Sequence, residues 1–150
     1  MEISFELIMV AKLILAFVFG AFIGYDREKH DVDAGIRTYA AVCFGSTLFT
    51  AIAHEFNDVS SASRIIANII VGIGFIGAGT IYRSNNSNNS HGLTTAATVW
   101  CTAAVGVAVG MDMFILAVVA ALMLYFLLSL ERQKWYQRWK ENIKERKKQG

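Results

Sequence analysis

The chain has 150 residues, 55% of them hydrophobic and 17% charged, with a mean hydropathy of +0.43 and a formal net charge of +2. Apolar residues gathered into long blocks in a single domain give the composition of an integral membrane protein. Two cysteines exclude a disulfide framework, and no Cys-x-x-Cys or Cys/His spacing points to zinc.

About 20 mostly apolar residues cross a bilayer as a helix. Taken in chain order, five blocks meet or approach that length, at 5–24, 36–53, 65–82, 95–110 and 113–130. The first lacks the basic start of a secretory signal and carries Glu2 and Glu6, so it reads as a retained span. Its Ala16, Gly20 and Gly24 form a ridge of small residues on one stripe with Lys12. Such a ridge suits a homodimer or packing within one chain. Lys12 lies about 10 Å into its helix, within snorkelling reach of the interface, although an ionisable group in a span also reads as functional.

The first loop holds Asp26, Arg27, Glu28, Lys29, His30, Asp31 and Asp33. Its carboxylates could hold magnesium, and its interleaved cations could equally neutralise them in water. Arg27, Glu28 and Arg37 border helix ends, where partial burial would let arginine pair with carboxylate or phosphate. Cys43 and Cys101 fall inside spans two and four and read as small packing residues.

Span three contains Gly72-Ile73-Gly74-Phe75-Ile76-Gly77. This matches G-x-G-x-x-G, but the fingerprint needs an acidic residue about 20 positions on, and Ala96, Ala97 and Thr98 stand there. Glycine at 72, 74, 77 and 79 instead lets helices approach closely in lipid. At roughly 100° per residue, Arg64, Asn68, Gly72, Phe75 and Gly79 share one face, while Gly74 and Gly77 point elsewhere. Span three is therefore expected at the centre of the bundle; local unwinding around an ion is the alternative. Arg64 and Asn68 read either as an interfacial anchor or as a site that binds an anion or pairs with Glu55, Asp58 or Asp112.

Residues 84–90 form a polar low-complexity linker before span four, where Thr94 or Thr95 is expected to cap the helix. Thr94, Thr98, Thr102, Gly106 and Gly110 then make a flat ridge. Its threonines are expected to hydrogen-bond across an interface. Gly110 and Asp112 mark a tight turn into span five, which is bulky on nearly every face and is expected outermost.

Residues 131–150 carry eight basic and three acidic groups. Trp135, Trp139 and Ile143 recur every four residues there, giving an amphipathic segment anchored at the interface by its two tryptophans. Such a tail meets anionic headgroups, not nucleic acid. Arg27, Lys29, Arg37, Arg83 and the tail share one side of a five-span arrangement, against Arg64 on the other. The positive-inside rule then sets the N-terminus outside and the C-terminus in the cytoplasm. The expected fold is all-α: a polytopic bundle of five transmembrane helices over 1–130, then a basic cytoplasmic tail over 131–150.

In order, Gly20-x-x-x-Gly24-x-x-Arg27-Glu28, Ala34-Gly35-Ile36-Arg37-Thr38, Arg64-Ile65, the 72–79 glycine block and Gly92-Leu93-Thr94-Thr95-Ala96-Ala97-Thr98-Val99-Trp100 resemble the hallmark blocks of the MgtC/SapB family, which includes YhiD-like proteins. The resemblance covers residues 20 to 110. It implies the N-terminal hydrophobic domain of a bacterial inner-membrane protein associated with growth under magnesium limitation and, in pathogens, with survival inside host cells. Longer members add a soluble ACT-like domain, whereas a basic segment of 20 residues follows span five here. Ser60-Ser61-Ala62-Ser63 lacks the acidic and proline residues often found before the arginine of the third block.

No catalytic constellation stands in a plausible setting, and no redox cofactor site is present in the sequence. The expectation is a non-enzymatic regulator or partner-binding protein acting through helix packing. The alternative is a magnesium or other cation transporter with Asn68 and Thr98 on its path. A third reading has Arg27, Arg37 and Arg83 binding an anion or lipid headgroup. Thr38 completes the set of candidate polar residues; no metal ligand is assigned.

Overall fold

The computed structural model describes residues 3–30, 32, 34–56, 58–83, 90–130 and 133–148. Six helices follow one another: α1 (Ile3–Glu28), α2 (Ile36–His54), α3 (Val59–Gly79), α4 (Leu93–Gly110), α5 (Phe114–Leu130) and α6 (Lys134–Lys148). Between α3 and α4 a two-residue antiparallel bridge pairs Tyr82 with His91, whose rings stack at 5.5 Å. Helices α1 to α4 are each long and apolar enough to cross a membrane. With 17 residues and no charge, α5 spans about 25 Å. The architecture is an all-α polytopic bundle.

Its centre lies between α2 and α4, which pack on each other and on α1. Nine of the 19 residues of α2 and ten of the 18 of α4 are buried, against two of the 21 of α3. The expectation that span three is central is therefore corrected: α3 leans on the α2/α4 pair and buries only Ile73 and Gly77. Close approach needs small residues on both partners, and α2 and α4 meet that condition together. A Cβ at Gly106 would press on the Cys43 carbonyl and lie 2.9 Å from the Ser46 Cβ, and one at Gly110 would lie 2.6 Å from the Thr50 Cβ. Thr47 adds the bond across this seam, donating from its hydroxyl to the Gly106 carbonyl at 2.7 Å. Within α4, Thr102 donates to the Thr98 carbonyl at 2.8 Å, while Thr95 and Thr98 also bond across to α1 and α2, as expected of threonines at a helix interface.

The ridge of α1 is spent inside the chain. A Cβ at Gly20 would lie 2.6 Å from the Ala40 Cα, and one at Gly24 would lie 2.7 Å from the Ile36 Cα. These two glycines seat α2 on α1 and are not a free dimer face. By contrast, a Cβ at Gly72, Gly74 or Gly79 would meet nothing within 4 Å. Their expected packing role is absent within the chain; only Gly77 touches a neighbour, at Ala96.

The boundaries of α3 also differ from the sequence reading, starting at Val59 and ending at Gly79. Asp58 caps the start, accepting from the amides of Ser60 and Ser61 at 3.1 and 3.0 Å. This serine-rich turn is polar, so an apolar-run criterion passes over it. Arg64 thus sits in the second turn, donating to the Ser61 hydroxyl at 3.0 Å, and that hydroxyl donates to Asp58 at 2.6 Å. Of the partners considered for Arg64, Asp58 is reached through Ser61. Asp112 is engaged elsewhere.

Helix α5 packs through Ala117, Ala121, Leu124 and Leu128 and exposes its remaining bulk, as expected of an outer helix. Phe22 of α1 stacks on Tyr125 of α5 at 4.5 Å. Cys43 is a buried packing residue, but Cys101 is exposed, which corrects its reading as one.

Candidate functional site

The ends of α1 and α3 and the starts of α2 and α4 meet at one face of the bundle. Here the long arginine side chain of α1 finds threonine hydroxyls on α4 where a purely apolar helix would offer none. Arg27 is buried and donates from Nη2 to Thr95 Oγ1 at 2.8 Å. Its Nε is buried without a hydrogen-bond partner. Asp26, beside it, is also buried, and its carbonyl lies 2.6 Å from His30 Nδ1.

One turn further along α4, Thr98 Oγ1 lies 2.6 Å from the Tyr39 hydroxyl. Thr98 has a single hydroxyl proton, and the Thr94 and Thr95 carbonyls stand 2.9 and 3.1 Å away to accept it. Tyr39 is then the donor to Thr98. Tyr39 is fully buried and within electrostatic reach of Arg27. The network Arg27, Thr95, Thr98 and Tyr39 thus ties three helices together with charge-assisted and neutral hydrogen bonds in a setting poor in water.

Glu28 closes the same corner. Its Oε2 accepts the Ile36 amide at 2.9 Å and so satisfies the start of α2. Gly35 leaves room for that carboxylate, since a Cβ there would lie 2.8 Å from the Glu28 Cδ. The start of α4 is held differently. Gly92 takes a left-handed conformation, φ 84°, with its Cα against the Thr80 carbonyl, and no side chain caps the helix. The expected cap from Thr94 or Thr95 is therefore corrected. Thr95 turns inward to Arg27 instead, while Thr94 is exposed.

Of the other predicted residues, Arg37 is exposed and Thr38 half-buried beside the network. Asn68 and Arg64 are exposed on α3, away from it. Asn68 lines a groove between α2 and α3, whereas Thr98 faces Tyr39, so the two do not share a path. The Arg83 side chain, Asp31, Asp33 and the linker at 84–89 lie outside the described residues. Among the described residues, no three His, Cys, Asp or Glu side chains come together as a metal site.

At the opposite face Lys12 does not snorkel. It is 6% exposed and donates to Asp112 Oδ2 at 2.8 Å, while the Asp112 side chain keeps 52% of its exposure. The tight α4–α5 turn takes Asp112 to φ 62°, aiming its carboxylate back at α1. The sequence reading missed Tyr39 and Thr47, and placed Asp26 in a solvated loop where the structure buries it. Tyr39 follows Arg37-Thr38 directly, and a phenol in the first turn of an apolar span was the available signal.

The fold and this corner define a polytopic α-helical membrane protein whose short polar blocks close on a single buried arginine. The chain belongs to the MgtC family, whose profile matches residues 13–135. It is 36% identical over 141 residues to the "Putative magnesium transporter YhiD" of Escherichia coli K12, covering 89% of this chain and 65% of that protein. It is 39% identical over 117 residues to "Protein MgtC" of Brucella abortus, covering 78% of this chain and 48% of that one. A protein of Synechocystis called slr0014 is 40% identical over 112 residues, 75% of this chain and 47% of its own length. The chain thus spans about half to two-thirds of the curated relatives it matches. No solved structure matches it.

Proposed function

We propose that the chain is a non-enzymatic regulator in magnesium-limitation physiology, acting in the bacterial inner membrane through lateral contact of α3 with another membrane helix. The N-terminus lies outside and the basic tail in the cytoplasm, following the distribution of Lys and Arg. One observation carries this reading: Arg64, Asn68, Gly72, Phe75 and Gly79 form an exposed stripe on α3, with Asn68 and Gly72 at its border with the groove beside α2. Asn68 stands nine residues into a 21-residue helix, about 14 Å along it and so near the bilayer midplane. An outward carboxamide at that depth seeks a hydrogen-bonding partner helix, and flanking glycines allow close approach.

The alternative, a magnesium or other cation transporter, draws on the name of the Escherichia coli relative. Purified full-length chain in proteoliposomes loaded with a magnesium-sensitive dye separates the two. The regulator reading expects magnesium entry no faster than in protein-free vesicles, with growth at limiting magnesium lost in Asn68→Leu. Entry well above that of a Gly77→Leu variant overturns it.

A further inference from the structure

We propose that α3 pairs with α3 of a second copy of this chain, side by side and parallel, about a two-fold axis along the membrane normal. This names the partner for the α3 contact set out above and rests on that reading. Ile65, Asn68, Gly72, Phe75 and Gly79 follow one another at spacings of three, four, three and four residues. That alternation, 3.5 on average, is the repeat of two helices wound left-handed around each other, the common hand of membrane bundles. At 100° per residue the five positions fall within about 80° of arc, on the side of α3 away from buried Ile73 and Gly77. Ile65 is half-buried and the other four are exposed. A Cβ at Gly72 or Gly79 would meet nothing within 4 Å, so the seam lies open to close approach over about 21 Å.

Two polar groups say what should cover it. Beside the seam, α2 and α3 border a groove of about 630 Å³ whose lining is apolar except for Ser46 and Asn68. Ser46 is 3% exposed, yet neither its hydroxyl nor the Asn68 carboxamide has a hydrogen-bond partner among the described residues. Both lie at mid-depth, Ser46 about 15 Å along α2 and Asn68 about 14 Å along α3. Acyl chains offer neither donor nor acceptor there, so lipid leaves both groups unsatisfied. A two-fold axis along the membrane normal keeps every residue at its own depth, and Asn68 therefore meets the Asn68 of the second copy. A carboxamide both donates and accepts, which makes that pair self-complementary. One such asparagine in a coiled seam fixes register and pairing. The second α3 then lies over the groove that Ser46 lines.

The test is oxidative cross-linking of the full-length chain in lipid vesicles. Exposed Cys101 is first changed to Ser, while buried Cys43 is kept. With a membrane-permeant oxidant, Phe75→Cys is expected to give a disulfide-linked dimer. Ile70→Cys, exposed on the opposite side of α3, is expected to give none above the Cys101→Ser background. Adding Asn68→Leu to Phe75→Cys should lower the dimer yield about three- to tenfold, and Asn68→Gln, which keeps the carboxamide, should restore most of it. Asn68 is exposed, so helical circular dichroism is expected to be unchanged; Gly72→Leu, which blocks the seam from open space, gives the same readout if it is not. No dimer from Phe75→Cys, equal dimer from both cysteines, or a yield unchanged by Asn68→Leu and Gly72→Leu would each overturn the pairing. Growth at limiting magnesium separates it from the reading it rests on. A dimer lost in Asn68→Leu with growth intact overturns the regulator reading alone, whereas growth lost in that variant with no dimer ever formed overturns the second copy alone.

Discussion

Lys12 and Asp112, 100 residues apart in sequence, form an ion pair at 2.8 Å that ties α1 to the α4–α5 turn. The pair is asymmetric, with the lysine buried and the aspartate half in solvent. Removing the aspartate strands a buried charge, whereas removing the lysine leaves a carboxylate that water can solvate. Asp112→Asn, which tolerates the left-handed backbone, is expected to destabilise the bundle by about 1–3 kcal/mol in detergent, discounted from a fully buried pair for the exposure of one partner. Lys12→Met is expected to cost less. Thermal unfolding of the two variants checks the order, and the reverse order would mean that the pair is held by solvent-side attraction.

Glycines of α4 and α3 should respond oppositely to the same substitution. Gly106→Ala drives a methyl into the Cys43 carbonyl, where backbone must move, and is expected to cost about 1–3 kcal/mol. Gly72→Ala and Gly74→Ala point into open space and should leave stability within about 0.5 kcal/mol. Thermal unfolding measures all three. If Gly72→Leu also kept the fold yet abolished growth at limiting magnesium, the open face of α3 would be a working surface.

Arg27 and Thr95 are expected to be coupled. A double-mutant cycle with Arg27→Met and Thr95→Val should give an interaction of about 1.5–3 kcal/mol, the range for a hydrogen bond to a charged group. Tyr39→Phe should cost about 1 kcal/mol, because Thr98 keeps its own carbonyl acceptors. A coupling near zero would show that Arg27 is held by other contacts.

Acid should loosen the start of α3 first. The Ser61 hydroxyl, then the Ser60 and Ser61 amides, hold the Asp58 carboxyl below its ordinary value. A folded value below the unfolded one gives stability that is present above about pH 4 and lost as pH falls through the folded value. Hydrogen exchange, expressed as protection of the Ser60 and Ser61 amides, should therefore be flat above about pH 5 and fall below about pH 4. Asp58→Asn should remove the pH dependence; an unchanged profile would assign it to another group.

Much of the bundle was legible because apolar length and glycine spacing report what lipid demands of a helix. The apolar helices, four of them long enough to cross a membrane and α5 a little shorter, the tight turn after Gly110 and the outer position of α5 follow from those demands. What a single sequence conceals is which neighbour a small residue serves. Gly20 and Gly72 look alike in spacing, yet one lies under the Ala40 backbone and the other meets nothing. Likewise Thr95 stands where a helix cap is expected and is drawn inward by an arginine 68 positions earlier, a distance no local pattern spans. The candidate corner was partly visible, since Arg27, Glu28, Thr95 and Thr98 were singled out; their joining through Tyr39 depends on the approach of α2 to α4.

The Lys12–Asp112 pair also bears on how the protein is made. At about 5–20 residues per second, synthesis of the 100 residues between them takes on the order of 5–20 s. Throughout that interval α1 carries a cation whose counter-charge does not yet exist, so its side chain must reach toward a headgroup layer. Only after the α4–α5 turn has emerged can Asp112 take up that cation, so the Lys12–Asp112 tie between α1 and this turn closes late in synthesis.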